Sequence, residues 1–157
     1  MVVPTTWGST VHMKELDLKS EFDLGWIVGL LEGEGSFLLQ GYRSGGPKVT
    51  PSIQLAMTDL DVVARAGEFL GGNQEDPKIV RPAGRRTNGE AYKTIYRWRV
   101  SGHRAAEVME QILPHMGERR SARIREILDV WKASKGPKDP KYEALAASLR
   151  LPDPTDT

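Results

Sequence analysis

At 157 residues the chain is one domain or two small ones, with 39% hydrophobic residues, enough for a core, and 27% charged residues, as in soluble globular chains. Its 22 Lys and Arg against 21 Asp and Glu leave a formal charge of +1, which taken as a whole does not mark a nucleic-acid binder. No apolar run approaches the roughly 18 residues of a membrane span, Met1–His12 carries no signal-peptide pattern, and the lack of Cys excludes disulfides, thiol nucleophiles and cysteine zinc sites, which fits an intracellular protein of cytoplasm or organelle.

Residues 1–19 read as a flexible lead-in, 20–150 as one domain and 151–157 as a disordered tail rich in Pro, Asp and Thr. Ser20 opens a helical pattern, with Asp23 as its capping partner. Leu24, Trp26, Ile27, Val28, Leu30 and Leu31 wrap almost every side of that helix, which predicts burial, and Gly33 and Gly35 end it. A strand over 36–42, a turn at Ser44–Pro47 and a strand over 48–57 follow; in the latter Val49, Ile53, Leu55 and Met57 alternate with Thr50, Ser52, Gln54 and Ala56. Thr58 or Asp59 can cap a helix over 60–70, which Gly71-Gly72 stops. Strands over 77–82 and 91–100 make a second hairpin around the basic loop 83–90. Helices over 103–113 and 119–134 are split by Pro114 and Gly117, and a short helix over 140–149 comes after Gly136-Pro137. The order α-ββ-α-ββ-α-α predicts an α+β domain whose helices cover one face of a four-stranded antiparallel sheet.

Gly25, Gly29 and Gly33 recur every fourth residue and line one face of the first helix. Each internal glycine costs a helix about 1 kcal/mol relative to alanine, so a close backbone approach is the expected compensation. Either other side chains of this domain fill the face, or the helix packs on its own copy across a two-fold axis. Glu32 and Glu34 stand at the C-terminal end of the helix, where the macrodipole disfavours acids unless a cation arrives. With no Cys and three scattered His, any metal would be held by oxygen. Two helices meeting along the glycines would bring their carboxylates together as a site for hard divalent ions such as Mg²⁺, suited to in-line attack of water on a phosphodiester.

The segment Ile27-Val28-Gly29-Leu30-Leu31-Glu32-Gly33-Glu34-Gly35 resembles the motif of the LAGLIDADG homing endonucleases in its E-G-E-G-S-F form, and the similarity continues through Ser36-Phe37. Met57-Thr58-Asp59, Trp98-Arg99-Val100-Ser101-Gly102 and Leu113-Pro114-His115 are further echoes, so the resemblance spans roughly residues 20–135. It implies an αββαββα domain with a saddle-shaped sheet, Mg²⁺ as cofactor (or Mn²⁺, with Ca²⁺ bound without turnover), and double-stranded DNA as partner. The motif occurs once, and single-motif members act as homodimers on roughly palindromic sites, with Gly25, Gly29 and Gly33 at the dimer interface. By position Glu34 is the metal-binding acid, the Gly33 carbonyl a second ligand, and Glu32 structural. Asp59 falls where the family often has a polar residue that positions water, although it can equally be a helix cap; Gln54 lies further back. Arg119 or Arg120 is the basic residue expected near the scissile phosphates.

The charge is sorted along the chain. Residues 1–35 hold two Lys against six acids (−4), residues 78–99 seven Lys and Arg against one Glu (+6), and residues 119–141 eight against three (+5). In the 91–100 strand Tyr92, Thr94, Tyr96, Trp98 and Val100 suit packing under helices, whereas Lys93, Arg97 and Arg99, with Ile95, make the opposite face basic. Arg85 and Arg86 sit at the hairpin tip, and Ser36, Leu38, Gln40, Tyr42, Thr50, Ser52 and Gln54 form the matching polar face of the first hairpin. Such a face can meet phosphates and base edges, or be an ordinary solvated sheet surface. The reading is a homing endonuclease of intron or intein mobility, with a non-catalytic DNA-binding regulator, an RNA-splicing maturase and a protein-interaction domain as rivals.

Overall fold

Ser20 starts the first helix as its sequence predicts, its hydroxyl accepting the Asp23 N–H at 3.3 Å. The structure, a computed structural model, describes residues 20–41 and 49–134. The expectations for the lead-in 1–19, for Tyr42 and the 44–47 turn, for the 140–149 helix and for the tail 151–157 fall outside the described residues. The elements run α1 (Glu21–Glu34), β1 (Gly35–Gly41), β2 (Val49–Met57), α2 (Leu60–Leu70), β3 (Lys78–Arg81), β4 (Gly84–Arg85), β5 (Ala91–Tyr92), β6 (Ile95–Ser101), α3 (His103–Ile112), a 3₁₀ turn (Leu113–His115) and α4 (Glu118–Ser134).

The α+β architecture is as predicted. Four antiparallel strands lie in the order β1-β2-β6-β3, and the second hairpin docks its later strand, β6, against the later strand of the first, β2. Register then sorts the side chains. Gly35, Leu55 and Trp98 face one another across the sheet, as do Phe37, Ile53 and Val100; these rows point to the helices. With Ile27 and Leu31 of α1, Val63 and Leu70 of α2, Val108 and Ile112 of α3 and Ile124 and Ile127 of α4, they form one buried cluster. A left-handed Gly102 (φ +71) ends β6, and its N–H donates to the Pro51 carbonyl at 2.9 Å, turning the chain back into α3.

Three expectations need correction. The helix runs through Gly33 to Glu34 and only Gly35 ends it. Nor is it buried all round: Ile27 and Leu31 are buried, while Gly25, Gly29 and Gly33 are exposed. The strand expected over 91–100 is broken at Lys93 and Thr94, because Thr94 Oγ1 turns aside to accept the Ala83 N–H at 3.0 Å. The 83–92 segment is therefore a separate two-stranded ribbon of β4 and β5 beyond the main sheet.

Candidate active site and nucleic-acid interface

On α1 the apolar residues divide between two jobs. Trp26 packs on Phe69 of α2 with ring centroids 5.8 Å apart and carries the Arg65 guanidinium 4.0 Å above its ring, while Arg65 also reaches Asp23 at 3.6 Å. The glycine face points elsewhere. A Cβ built on Gly25, Gly29 or Gly33 would meet nothing within 4 Å, so no side chain of the described residues fills that face. Phe22, three residues before Gly25 and on the same side, is 73% exposed. Sequence reasoning passed over Phe22, although its spacing from the glycines was the available signal.

The two motif acids differ in their surroundings. Glu32 is half-buried and its carboxylate accepts the Gly117 N–H at 3.0 Å. Glu34, the last residue of α1, is exposed, and its side chain makes no hydrogen bond or ion pair among the described residues. Gly35 turns the chain into β1 without a left-handed conformation (φ −73°); a side chain there is refused because its Cβ would lie 2.6 Å from the Leu31 carbonyl oxygen. Among the described residues no three His, Cys, Asp or Glu gather into a metal-binding group. Glu34 and the Gly33 carbonyl are hard oxygen donors that suit Mg²⁺, and they are part of a coordination shell rather than a whole one.

The sheet face away from the helices carries the predicted polar residues in cross-strand rows. Ser36, Gln54 and Arg99 form one row, Leu38, Ser52 and Ser101 the next, and Gln40 pairs with Thr50 beyond. On the other side Ala56, Arg97 and Lys78 share a row. Arg99 lies diagonally across its neighbours: Nε donates to Ser52 Oγ at 3.2 Å and Nη2 to Gln40 Oε1. Ser52, expected to read bases, is wholly buried in this network, so it supports the face instead of forming its surface. Burial, and then the Arg97 charge beside it, hold the Arg99 pKa below the ordinary arginine value; the group remains a cation at neutral pH. Arg97 is not tied down in the same way, and its Nε is buried without a hydrogen-bond partner.

Three groups on or beside this face were not singled out from sequence. Gln74 stands in for a strand residue next to β6, its side chain donating to the Arg97 carbonyl at 2.9 Å and accepting the Arg99 N–H at 3.2 Å. Lys78 enters by register alone. A bulge between Ile79 and Arg81 sets Arg81 opposite Ile95, with its guanidinium 4.5 Å from the Tyr92 ring. No local pattern announces a bulge. At the ribbon tip Arg85 donates to the Gly89 carbonyl at 3.0 Å, Arg86 lies 3.5 Å from Glu90, and Lys93 is exposed.

The remaining predicted residues lie around the end of α1. Asp59 occupies the N-cap place of α2, its carbonyl accepting the Val63 N–H, but its exposed side chain makes no capping bond. Arg119 is exposed in the first turn of α4. Arg120 instead donates to the Glu32 carbonyl at 3.3 Å, and Arg123 to the Phe37 carbonyl at 3.4 Å.

No family model matches the chain, and no curated protein matches it. Among solved structures the chain is similar to the homing endonuclease I-CvuI in complex with the I-CreI target in 2 mM Mg, with a TM-score of 0.57 and 18% identity over 82% of this chain and 78% of that one. Against I-CvuI in complex with its own target in 2 mM Ca the TM-score is 0.56, with 18% identity over 83% of this chain and 80% of that one. The archaeal intron-encoded homing endonuclease I-Vdi141I complexed with DNA gives 0.50 and 19% identity over 72% and 69% of the two chains.

Proposed function

Because the chain has the fold of the LAGLIDADG homing endonucleases, we propose that it is a site-specific double-strand DNA endonuclease, a homodimer that hydrolyses phosphodiester bonds with divalent-metal assistance on a long pseudo-palindromic site. The observation that carries this reading is the open glycine face ending in an unpartnered acid. Three glycines on one helix face, each a cost to the isolated helix, have no compensation inside the described chain. Packing on a second copy supplies it, and the same packing brings two Glu34 carboxylates to the two-fold axis.

The roles then divide. Glu34 and the Gly33 carbonyl would hold Mg²⁺ together with groups from the second copy and the DNA, where the ion supplies an activated water and neutralises charge on the phosphate. Arg97, Arg99, Lys78 and Gln54 lie on the sheet face that meets the duplex, arginine being suited to both phosphate and guanine. Asp59 follows the end of β2, which runs on past the residue paired with Gly35, and this supports for it the role of hydrogen-bonding the attacking water. Arg119, exposed at the start of α4, is the cation assigned to the scissile phosphate. Neither role needs a covalent intermediate.

Cleavage selection on a randomised duplex library in Mg²⁺, comparing the parent with Glu34→Gln, tests the reading. The parent should enrich one long, roughly palindromic family of cut sites, and Glu34→Gln should bind that site without cutting it. If neither protein cuts and both bind DNA equally, the nuclease reading fails.

A further inference from the structure

Glu32 and Arg120 each carry a charge at the wrong end of their own helix. Glu32 is in the last turn of α1, where the dipole is negative, and Arg120 is in the first turn of α4, where it is positive. The fold turns both around. Gly117 occupies the N-cap place of α4, since its carbonyl accepts the Ser121 N–H at 2.8 Å, yet it has no side chain with which to cap. Glu32 reaches over from α1 and accepts the Gly117 N–H at 3.0 Å, the bond that an acid at the third helical position makes in a capping box, a position held here by Arg120. The glycine leaves room for the carboxylate to come this close, since a Cβ on Gly117 would lie 3.0 Å from Glu32 Oε1. In return Arg120 donates to the carbonyl of Glu32, one of the α1 carbonyls left without a helical partner. Each charge meets the favourable end of the other helix only when the two ends are docked.

This contact brackets the motif acid. Arg120 holds the backbone at Glu32, two residues before Glu34, and Arg123, one turn further along α4, holds it at Phe37, three residues after. Glu34 between them is exposed and unpartnered, so its backbone is held while its carboxylate stays available. We infer that Glu32 and Arg120 are positioning residues, a reciprocal helix-end clamp through which α4 holds the Glu34 carboxylate in place for a divalent cation. The inference rests on the metal-acid role proposed above for Glu34.

The test uses the full chain and the variants Glu32→Ala, Glu32→Gln and Arg120→Met, with Arg125→Met as a control that removes the same charge from an exposed position on α4. Two readouts are independent of turnover. The first is hydrogen exchange of the Gly35 amide, which donates to the Leu31 carbonyl in the last turn of α1. The second is Ca²⁺ affinity of the DNA-bound protein by calorimetry. Arg120→Met and Glu32→Ala should speed Gly35 exchange and weaken Ca²⁺ binding, each by about tenfold, the lower end of what loss of a supporting contact costs a metal site. Glu32→Gln, which keeps an oxygen for Gly117, should recover much of both, and Arg125→Met should match the parent. Unchanged exchange in both clamp variants overturns the proposal, as does faster exchange with Ca²⁺ affinity equal to the parent's, which would reduce the contact to a structural one. A parent that binds DNA and Ca²⁺ without cutting in Mg²⁺ sinks the nuclease reading instead, and the two readouts still judge the clamp.

Discussion

Gly29→Ala should stabilise the isolated chain and weaken its self-association, two effects of opposite sign from one methyl group. Nothing lies within 4 Å of a Cβ at this position, so the folded monomer meets no clash. Replacing an internal helix glycine by alanine then gains about 0.8–1 kcal/mol, a rise in melting temperature of roughly 2–4 °C for a domain of this size. In the proposed dimer the same methyl would enter the face where the two helix backbones meet. The loss there should reach at least about 1.4 kcal/mol, a tenfold weaker dissociation constant. Thermal scans and sedimentation velocity over a wide concentration range separate the two. The parent's melting temperature should climb with concentration, as association stabilises the folded state. The variant's should be higher at high dilution and nearly flat. A variant that gains stability and dimerises like the parent would show that the glycine face is not the interface. One that is destabilised as a dilute monomer would show contacts where the structure has open space.

Gly67→Ala makes the opposite case: its Cβ would lie 2.4 Å from the Trp98 ring, so overpacking should cost about 1–3 kcal/mol in denaturant unfolding. Arg97→Ala and Arg99→Ala should each weaken DNA binding and reduce its salt slope by about one, measured by titration at several ionic strengths. They should differ in stability. Arg99→Ala strips the buried Ser52 hydroxyl of its donor and should cost about 1–3 kcal/mol, whereas Arg97→Ala, whose Nε has no partner, should cost little. Gln74→Ala leaves the Arg97 carbonyl and Arg99 amide unpaired at the side of β6 and should lower stability by about 1 kcal/mol.

What was legible in the sequence was what local periodicity encodes. The two-residue alternation of β2 and β6 gave the two sheet faces, and the glycine spacing gave a face of α1. What stayed hidden depended on contacts between distant segments. The row joining Lys78 to Arg97 and Ala56 depends on the bulge before Arg81 and on β6 pairing with β2, neither of which any window of residues announces. Ser52 alternated correctly with its neighbours, yet Arg99 covers it, because a long side chain can lie across the next strand. The burial expected for α1 failed for a similar reason: hydrophobic residues on every side of a helix do not say which side meets this domain and which is left open.

The charge ledger of the chain changes most on folding. By sequence, residues 119–141 carry eight Lys and Arg against three acids and look like a second basic surface. In the fold Arg120 and Arg123 donate to the carbonyls of Glu32 and Phe37, Arg123 also lies 3.4 Å from Glu126, and Lys132 lies 2.9 Å from Glu110. Of the segment's described cations Arg120, Arg123 and Lys132 therefore work inside the domain, holding α4 against the motif helix and α3, while Arg119 and Arg125 stay exposed. The acidic first segment is drawn down in the same way, Asp23 by Arg65 and Glu32 by the end of α4, so that of these three acids Glu34 alone has no partner among the described residues. The basic hairpin keeps more of its charge outward: Lys78, Arg81, Arg85, Arg86 and Lys93 are exposed, and Arg97 has no acidic partner among the described residues. A total of +1 is thus compatible with a cationic sheet face on the same domain as the unpartnered Glu34 carboxylate, a distribution that suits a polyanion and a divalent cation.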